Sequence, residues 1–222
     1  MLYRIVALLA CPMMFLFYRL KFRGAHHVPS SGGAIIAANH SSYLDPVVIG
    51  LAAAHRRLSF MAKEELFRIP LFRRLIKWGN AKPIKRGGAN RHALEHFEDM
   101  VRNSGNVLVL FPEGTRSPDG SLGSGRRGIG HLCLSARVPV IPALITGSYE
   151  AWPKHRTLPR ILGRIEVRFG PPVEYNVEEL NKSGDPSGTF GAVLMNRIAG
   201  LKQYSDPAKG FWSTVASIIR AT

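Results

Sequence analysis

One short stretch decides the fold: AIIAANH, residues 34–40. Its five consecutive apolar residues predict a buried strand, and Asn39 and His40 follow directly at the end of that strand. The next residues predict a helix from Pro46 to Ala54, because Asp45 suits an N-cap and proline is favoured at the first helical position. A strand is therefore expected to turn into a helix within a few residues of a histidine.

The alternation of strands and helices continues downstream. A buried strand is predicted at Val107–Phe111, another at Val140–Ile145 with Pro142 as an interruption, and a half-buried strand at Ile165–Phe169. The remaining predicted elements are a strand at Leu58–Met61, helices at Glu64–Trp78, Ala89–Val101, Ile129–Arg137, Phe190–Tyr204 and Phe211–Arg220, and a loop at Ser183–Thr189.

Strands that alternate with helices indicate an α/β protein with a mostly parallel, mixed sheet flanked by helices. In open sheets of this kind, functional residues collect beyond the carboxyl ends of the strands. His40 and Glu113 each follow a predicted strand, so both lie where a site is expected.

The composition excludes a disordered chain and favours an anionic partner. Of the 222 residues, 45% are hydrophobic, which is enough to bury the core of one domain. Lys and Arg number 30 against 15 acidic residues, so the formal net charge is +15. Such an excess attracts phospholipid head groups, nucleic acid or phosphorylated substrates, although a solvated basic surface that only aids solubility is the alternative.

The two cysteines, Cys11 and Cys133, show no metal-ligand spacing and imply no disulfide framework, which fits a reducing, cytosolic-facing location. The first lies in an uncharged, nearly all-apolar run from Ile5 to Tyr18 that basic residues flank on both sides. This run is shorter than the ~20 residues that a membrane-spanning helix needs. A cleaved signal peptide is disfavoured, because basic residues follow the run and no small-x-small cleavage site is evident.

We therefore expect residues 1–23 to form an apolar helical anchor in the membrane interface, and residues 24–222 to form one α/β domain. A short membrane span and a buried core helix are the alternatives for the N-terminal run. Residues 63–78 interleave large apolar side chains with arginine and lysine. That pattern suits the interface of an anionic membrane, or else a core helix with one solvated face.

His40 and Asp45 form the first candidate site. An imidazole can take a proton from an attacking hydroxyl, and a carboxylate on its other ring nitrogen fixes the tautomer and stabilises the imidazolium. Residues five apart on a regular helix lie about 140° apart, so the pair works only if His40 precedes the helix and the chain turns between the two. The alternative is that Asp45 only caps the helix and His40 is an ordinary histidine at a strand end.

The second candidate site is FPEGTRS, residues 111–117. Gly114 lets the backbone approach a ligand closely, and Arg116 can clamp a phosphate with two parallel hydrogen bonds. Glu113 could orient Arg116 or a substrate hydroxyl, and Thr115 could donate its hydroxyl. The alternative is a strand-to-loop turn with a surface salt bridge. Upstream, KPIKRGG at residues 82–88 could form part of a phosphate cradle or a solvated loop.

These motifs resemble those of the glycerolipid acyltransferases, in the 1-acyl-glycerol-3-phosphate acyltransferase family. The Asn-His-x-x-x-x-Asp motif of that family is present at residues 39–45, and its Phe-Pro-Glu-Gly-Thr-Arg-Ser motif is complete at residues 111–117. Ile84 and Arg86 resemble an intervening motif, in which a short apolar strand ends in a basic residue. VPVIP at residues 138–142 resembles the fourth motif, and the N-terminal run resembles the family's membrane anchor.

The resemblance implies an O-acyltransferase, with residues 24–222 as its acyltransferase domain. It implies that His40, assisted by Asp45, deprotonates an acceptor hydroxyl, which attacks the thioester of acyl-CoA or of acyl-carrier protein. No acyl-enzyme, cofactor or metal is expected. The implied acceptor is a lysophospholipid, 1-acyl-glycerol-3-phosphate, whose sn-2 hydroxyl is acylated to give phosphatidic acid.

The resemblance also assigns the residues that bind the acceptor. Arg116 and Arg86 would hold its phosphate, in a substrate site that includes Glu113, Gly114 and Thr115. Anionic membrane lipids are the expected further partners, and the expected location is the cytoplasmic face of a membrane, the inner membrane in a bacterium.

Two alternatives to this function stay open. The acceptor could be glycerol-3-phosphate or another lysolipid, because the sequence does not specify the acceptor, the acyl length or the thioester carrier. The chain could instead be a non-enzymatic, basic peripheral-membrane protein. Nucleic acid is not an expected partner, since there is no recognisable nucleic-acid motif and the aromatic residues form no stacking pattern.

Overall fold

The computed structural model describes residues 12–63, 81–84, 91–209 and 211–220. Residues 12–18 are helical. The strands in the described ranges are β1 (Lys21–Arg23), β2 (Ala34–Ala38), β3 (Leu58–Lys63), β4 (Ala81–Ile84), β5 (Val107–Leu110), β6 (Val140–Thr146), β7 (Glu166–Phe169) and β8 (Ala208–Lys209). The helices are α1 (Asp45–Ala52), α2 (Arg91–Asn103), α3 (Arg127–Ala136), α4 (Ser148–Ala151), α5 (Val177–Lys182), α6 (Pro186–Gly200) and α7 (Phe211–Arg220).

The described strands form one sheet in the order β4-β3-β5-β2-β6-β7-β1-β8. The strands from β4 to β6 are parallel to one another, β7 is antiparallel to β6, β1 is parallel to β7, and β8 is antiparallel to β1. The predicted α/β fold with a mostly parallel, mixed sheet is therefore confirmed. β2 lies between β5 and β6, so the carboxyl ends of these three strands meet at one edge.

Both faces of the sheet are covered, which explains why the central strands are apolar throughout rather than alternating. In β2, Ala34, Ile36 and Ala38 belong to the core on one face, whereas Ile35 and Ala37 belong to the core on the other. The first face packs against α1, α7 and the helical residues 12–18. The second face packs against α2, α3, α5 and α6.

Pro142 does not interrupt β6, contrary to the expectation for Val140–Ile145. Its carbonyl accepts a hydrogen bond of 2.9 Å from the Gly170 N–H, on the side of β7. In a strand, the carbonyl and the nitrogen of one residue point to the same side. The nitrogen of Pro142 therefore also points toward β7, at the end of the β6–β7 ladder, which begins at Ala143. The ladder with β2 is complete, and a proline is tolerated inside the sheet.

The helix predicted from Phe190 begins earlier, at Pro186. The Asp185 side chain accepts a hydrogen bond from the Gly188 N–H, and proline occupies the first turn. Both features favour a helix start, so the predicted loop at residues 183–189 is wrong in its second half.

The N-terminal side of the sheet begins earlier than expected. Tyr18, Leu20 and Phe22 are buried in the core, and Lys21–Arg23 pair with β7. The α/β domain therefore includes residues before 24, and the expected boundary after residue 23 is wrong. No helix in the described ranges combines the length and apolar character needed to cross a bilayer. Residues 1–11 and the helix predicted at 64–78 lie outside the described residues.

Candidate active site

The loop between β2 and α1 brings His40 and Asp45 together. His40 lies past the end of β2, Asp45 is the first residue of α1, and the loop turns between them. Their Nδ1 and Oδ2 atoms are 2.8 Å apart. The condition that the sequence imposed on this pair, a histidine ahead of the helix and a turn between the two, is met.

Asp45 fixes the tautomer of His40. Its Oδ2 also accepts hydrogen bonds from the backbone N–H groups of Ser41, at 2.7 Å, and Ser42, at 2.8 Å. An oxygen that accepts from two amides is an acceptor toward the imidazole as well, so the proton lies on Nδ1. Nε2 then carries the lone pair, and it has no hydrogen-bond partner among the described residues. His40 is arranged as a base.

Asp45 does not cap α1, contrary to expectation. The N-cap position falls on Leu44, without a side-chain hydrogen bond, and Pro46 is the second helical residue. The Asp45 carboxylate is fully buried and turns back toward the loop, where Oδ2 serves His40 and Oδ1 has no hydrogen-bond partner in the described residues. A buried carboxylate beside an imidazole stabilises the positive charge that the imidazole gains when it takes a proton.

The FPEGTRS segment lies directly against His40. The Phe111 ring stacks on the imidazole with a centroid separation of 4.0 Å and an interplanar angle of 19°. The Ser117 N–H donates a hydrogen bond of 2.7 Å to the His40 carbonyl. The two motifs that follow β2 and β5 therefore form one site, as the parallel strand ends predict.

The Arg116 guanidinium lies over the ring of Tyr43, a residue of the first motif. Its guanidinium carbon is 3.6 Å from the centroid of the Tyr43 ring, within the range of a cation–π contact. Its NH1 group is buried and has no hydrogen-bond partner among the described residues. A positioned guanidinium with an unused donor is a suitable binding group for a phosphate or carboxylate.

Glu113 is buried beside the His40–Asp45 pair. Burial raises the pKa of its carboxyl from 4.5 to about 7, and the negative charge of Asp45 acts in the same direction, whereas backbone hydrogen bonds from His40 and Gly123 oppose both. Its Oε1 has no hydrogen-bond partner in the described residues. The structure shows no contact of this carboxyl with Arg116, so an orienting role toward that arginine has no support, and a role toward a substrate hydroxyl stays a prediction.

Gly114 is required by its own turn. Its N–H donates to the Phe111 carbonyl at 2.9 Å, its φ is 66°, and a Cβ atom there would lie 2.5 Å from the Arg126 side chain. Arg126 in turn donates from Nε to the Glu113 carbonyl at 3.0 Å. Thr115 is exposed in the same turn. The ligand-binding roles predicted for Gly114 and Thr115 stay predictions.

Other residues of the site were not found from the sequence. The Asn39 side chain bridges β2 and β6, since its amide group donates to the Ile145 carbonyl at 3.0 Å and its carbonyl accepts from the Ile145 N–H at 2.7 Å. The Trp152 ring lies 5.1 Å from the Tyr43 ring. The presence of Asn39 in the first motif could have indicated its contact with Ile145. No local sequence signal indicates that Trp152 approaches Tyr43.

Arg86 lies outside the described residues, so its predicted role is not located. One group within the described residues could hold a metal ion: His26, His27 and Asp206, whose ligand atoms lie within 4.8 Å of one another. His27 Nε2 is also 2.7 Å from the Tyr204 hydroxyl. This group lies beside β1 and β8, at one end of the strand order, and includes no member of either motif.

An open α/β sheet that presents a carboxylate-supported histidine and a guanidinium at one edge can activate a hydroxyl next to a bound anion. Comparison with known proteins agrees with this chemistry. A sequence model described as Acyltransferase matches residues 19–146. The chain belongs to this acyltransferase family.

Two curated relatives and one solved structure illustrate what this chain is similar to. The chain is 30% identical over 169 residues to 1-acyl-sn-glycerol-3-phosphate acyltransferase from Limnanthes douglasii. The aligned region covers 75% of this chain and 58% of the relative. It is 28% identical over 153 residues to the protein of that name from Streptococcus pneumoniae, which covers 68% and 54%. The chain thus spans little more than half the length of these curated relatives.

One similar solved structure is that of the 1-acyl-sn-glycerophosphate (LPA) acyltransferase PlsC from Thermotoga maritima. It is 28% identical, with a TM-score of 0.66, and the match covers 90% of this chain and 79% of that one. The likeness in fold extends well beyond the two motifs.

Proposed function

We propose that this chain is a 1-acyl-sn-glycerol-3-phosphate O-acyltransferase that transfers an acyl group from a thioester to the sn-2 hydroxyl and forms phosphatidic acid. The observation that carries the proposal is the 2.8 Å hydrogen bond between His40 and Asp45, together with the buried NH1 of Arg116, which has no hydrogen-bond partner in the described part of the chain. The names of the relatives supply the acceptor.

In the proposed reaction, His40 Nε2 takes the proton of the acceptor hydroxyl as the oxygen attacks the thioester carbonyl. A new C–O bond forms, the tetrahedral intermediate collapses, and the C–S bond breaks. The imidazolium then returns its proton to the leaving thiolate. Asp45 holds the ring and stabilises the imidazolium throughout.

Arg116 binds the acceptor phosphate in this proposal, because its planar guanidinium offers paired donors that match phosphate oxygens. Its guanidinium carbon lies 3.6 Å from the centroid of the Tyr43 ring, and Tyr43 belongs to the loop that also contains His40. Glu113 would bind a hydroxyl of the acceptor through Oε1, which has no partner among the residues that the structure describes, and Thr115 and the backbone at Gly114 would complete the pocket. Arg86 is proposed as a second phosphate ligand on the basis of its motif.

No acyl-enzyme is proposed. Burial raises the pKa of the Cys133 thiol to about 12, which keeps it protonated. The Ser42 hydroxyl donates to the Trp152 carbonyl at 2.8 Å, and the Ser41 hydroxyl shares a 3.2 Å hydrogen bond with that of Ser148. Mass spectrometry after incubation with the donor alone should detect no stoichiometric acyl adduct on Cys11, Cys133, Ser41 or Ser42, and an adduct on any of the four would contradict the direct-transfer mechanism.

The proposal includes a donor, a location and an anchor. The donor is acyl-CoA or acyl-carrier protein, and no cofactor is needed because the thioester is already activated. The protein would act on the cytoplasmic face of a membrane, the inner membrane in a bacterium, bound to anionic lipids. The apolar residues ahead of the sheet would form the anchor, since their run is bordered by basic residues.

The function is tested with His40→Ala in the full chain, with His131→Ala as the control, because His131 is exposed on α3. We expect His40→Ala to abolish acyl transfer and to leave unfolding and vesicle binding unchanged, and the control to keep the wild-type rate. Near-normal turnover in His40→Ala would reject the mechanism. The assay uses lysophosphatidate, glycerol-3-phosphate and other lysolipids with both donors, so preference for another acceptor would reject the proposed substrate separately.

A further inference from the structure

The exposed apolar side chains of the protein are not scattered. Among the described residues, eight large hydrophobic side chains are exposed, and seven of them lie in three segments: residues 13–16, 43–47 and 158–162. The two most exposed, Leu162 at 77% and Leu158 at 73%, are in the last segment, which also contains Ile161 at 63%. The eighth, Val177, lies on α5, which packs on the other face of the sheet. Exposed apolar groups that cluster in this way mark an interaction site.

The three segments are neighbours in space. The Tyr43 ring contacts the Trp152 ring at 5.1 Å, so the loop after α4 starts at the candidate active site. At its other end, the Gly163 N–H donates to the Phe17 carbonyl at 3.0 Å, in the helical residues 12–18. Residues 152–165 therefore run from the active site to the N-terminal helix. We call residues 13–16, 43–47 and 152–165 the docking surface.

The docking surface is also basic. Residues 151–165 include Lys154, Arg156, Arg160 and Arg164 and contain no acidic residue, and Arg19 is exposed at the end of the neighbouring helix. Apolar side chains that project between cations match a bilayer interface, where the apolar groups enter the acyl boundary and the cations meet anionic head groups. This charge complementarity identifies the partner.

We propose that the docking surface binds an anionic phospholipid bilayer, independently of residues 1–11, and holds the active-site edge at the membrane. Both the proposed acceptor and its product carry acyl chains that reside in a bilayer, and Tyr43 joins the surface to the His40 loop. The claim that the docking surface holds the active site at the membrane deepens the proposed function and rests on it. Vesicle binding itself is measured without turnover, so the two can fail separately.

The apolar half of the proposal is tested in the full chain with Leu158→Ser combined with Ile161→Ser. Val177→Ser is the matched control, an exposed apolar residue on the other face. Sedimentation with vesicles of equal parts phosphatidylcholine and phosphatidylglycerol should show binding weakened by roughly tenfold in the double variant and unchanged in the control. Equal binding of the double variant and the wild type would overturn the proposal.

The basic half is tested with Lys154→Gln combined with Arg160→Gln, against Arg197→Gln on α6. Affinity for the anionic vesicles should fall by about fivefold per cation removed, with a weaker salt dependence, and affinity for pure phosphatidylcholine should not change. An acidic carrier protein is the competing partner. If the variants bind vesicles normally but raise the KM for acyl-carrier protein, the surface binds the donor and the proposal is wrong.

Discussion

At the residue scale, Asp45 is the side chain on which the site depends most. Its Oδ2 accepts hydrogen bonds from the imidazole and from two backbone N–H groups. Asp45→Asn keeps an acceptor of the same size but removes the charge that stabilises an imidazolium. We expect kcat to fall by ~10²–10⁴-fold, as when an orienting carboxylate is lost from a catalytic histidine. The measurement is turnover at saturating donor and acceptor.

The comparison for Asp45→Asn is Asp99→Asn, which changes an exposed carboxylate on α2 and should keep the wild-type rate. If Asp45 served only the start of α1, its variant would lose about 1 kcal/mol of unfolding free energy and keep its turnover. Urea unfolding of the same preparations separates the two roles.

Arg116 should determine the preference for a phosphorylated acceptor. Arg116→Lys keeps the charge but loses the planar pair of donors, so activity should fall, and Arg116→Ala should lose more. The measurement is the ratio of kcat/KM for phosphorylated and dephosphorylated acceptors, which should drop in Arg116→Ala and persist in Arg197→Ala. If KM rises while kcat holds, the contact is equal in the ground and transition states. An unchanged ratio would move the phosphate site elsewhere, with Lys82, Lys85 and Arg86 as the next candidates.

Glu113 should make stability depend on pH. Because its pKa is raised to about 7 in the folded protein, the folded state binds more protons than the unfolded state between about pH 4.5 and 7. The unfolding free energy from this group therefore falls as pH rises through that window. Glu113→Gln removes the titration. Its free energy of unfolding should therefore exceed that of the wild type by about 1–3 kcal/mol above pH 7, and the difference should be small below pH 4.5. Urea titrations at both ends of the window measure the difference, with Glu174→Gln as an exposed control; a gap independent of pH would contradict the raised pKa.

At the scale of elements, the contact between α3 and α6 depends on a glycine. A Cβ atom at Gly130 would lie 2.0 Å from the Ser187 carbonyl oxygen, so Gly130→Ala must separate the two helices. We expect a loss of about 1–3 kcal/mol in unfolding free energy. Gly128→Ala, two residues earlier in the same helix, meets no atom within 4 Å and should instead gain roughly 0.5–1 kcal/mol from helix propensity. Denaturant unfolding compares them, and equal effects would contradict the close packing.

The elements that could be predicted from the sequence are those buried on both faces. Residues 34–38 and 107–110 are continuous apolar runs because helices cover both faces of the sheet. Such runs can be recognised from the sequence alone. β1 and β8 were missed because they have three and two residues and lie at the end of the sheet, where pairing rather than apolar burial defines a strand. Helix α6 was placed too late because apolar residues begin at Phe190, four residues after its true start.

For the site, motif residues were predictable and contacts between motifs were not. The spacing of His40 and Asp45, and the preference for Asp and Pro at a helix start, predict that the two residues lie in a turn ahead of a helix. The stacking of Phe111 on the imidazole and of Arg116 on Tyr43 joins residues about 70 positions apart. Such contacts depend on which strands are neighbours, and a single sequence does not specify that order.

At the scale of the whole molecule, strand order assembles the site. β2 is central, with β5 on one side and β6 on the other, all parallel. Their carboxyl ends deliver His40, the FPEGTRS segment and the loop after α4 to one edge, while the helical residues 12–18 contact the far end of that loop. The proposed catalytic groups, the proposed phosphate ligand and the docking surface therefore lie along the same edge of the sheet.

The last prediction concerns how that edge and the N-terminal run share one membrane. Tyr18 and Leu20 are buried in the core, so a deletion that extends to residue 20 would damage the domain, whereas removal of residues 1–11 leaves the helical residues 12–18 in place. We expect this truncation to weaken binding to anionic vesicles by at least roughly tenfold and to keep the urea midpoint. If both regions contact the same bilayer, combining it with Leu158→Ser and Ile161→Ser should multiply the two losses. A truncated protein that binds as tightly as the full chain would remove the anchor from the proposal and assign membrane binding to the docking surface.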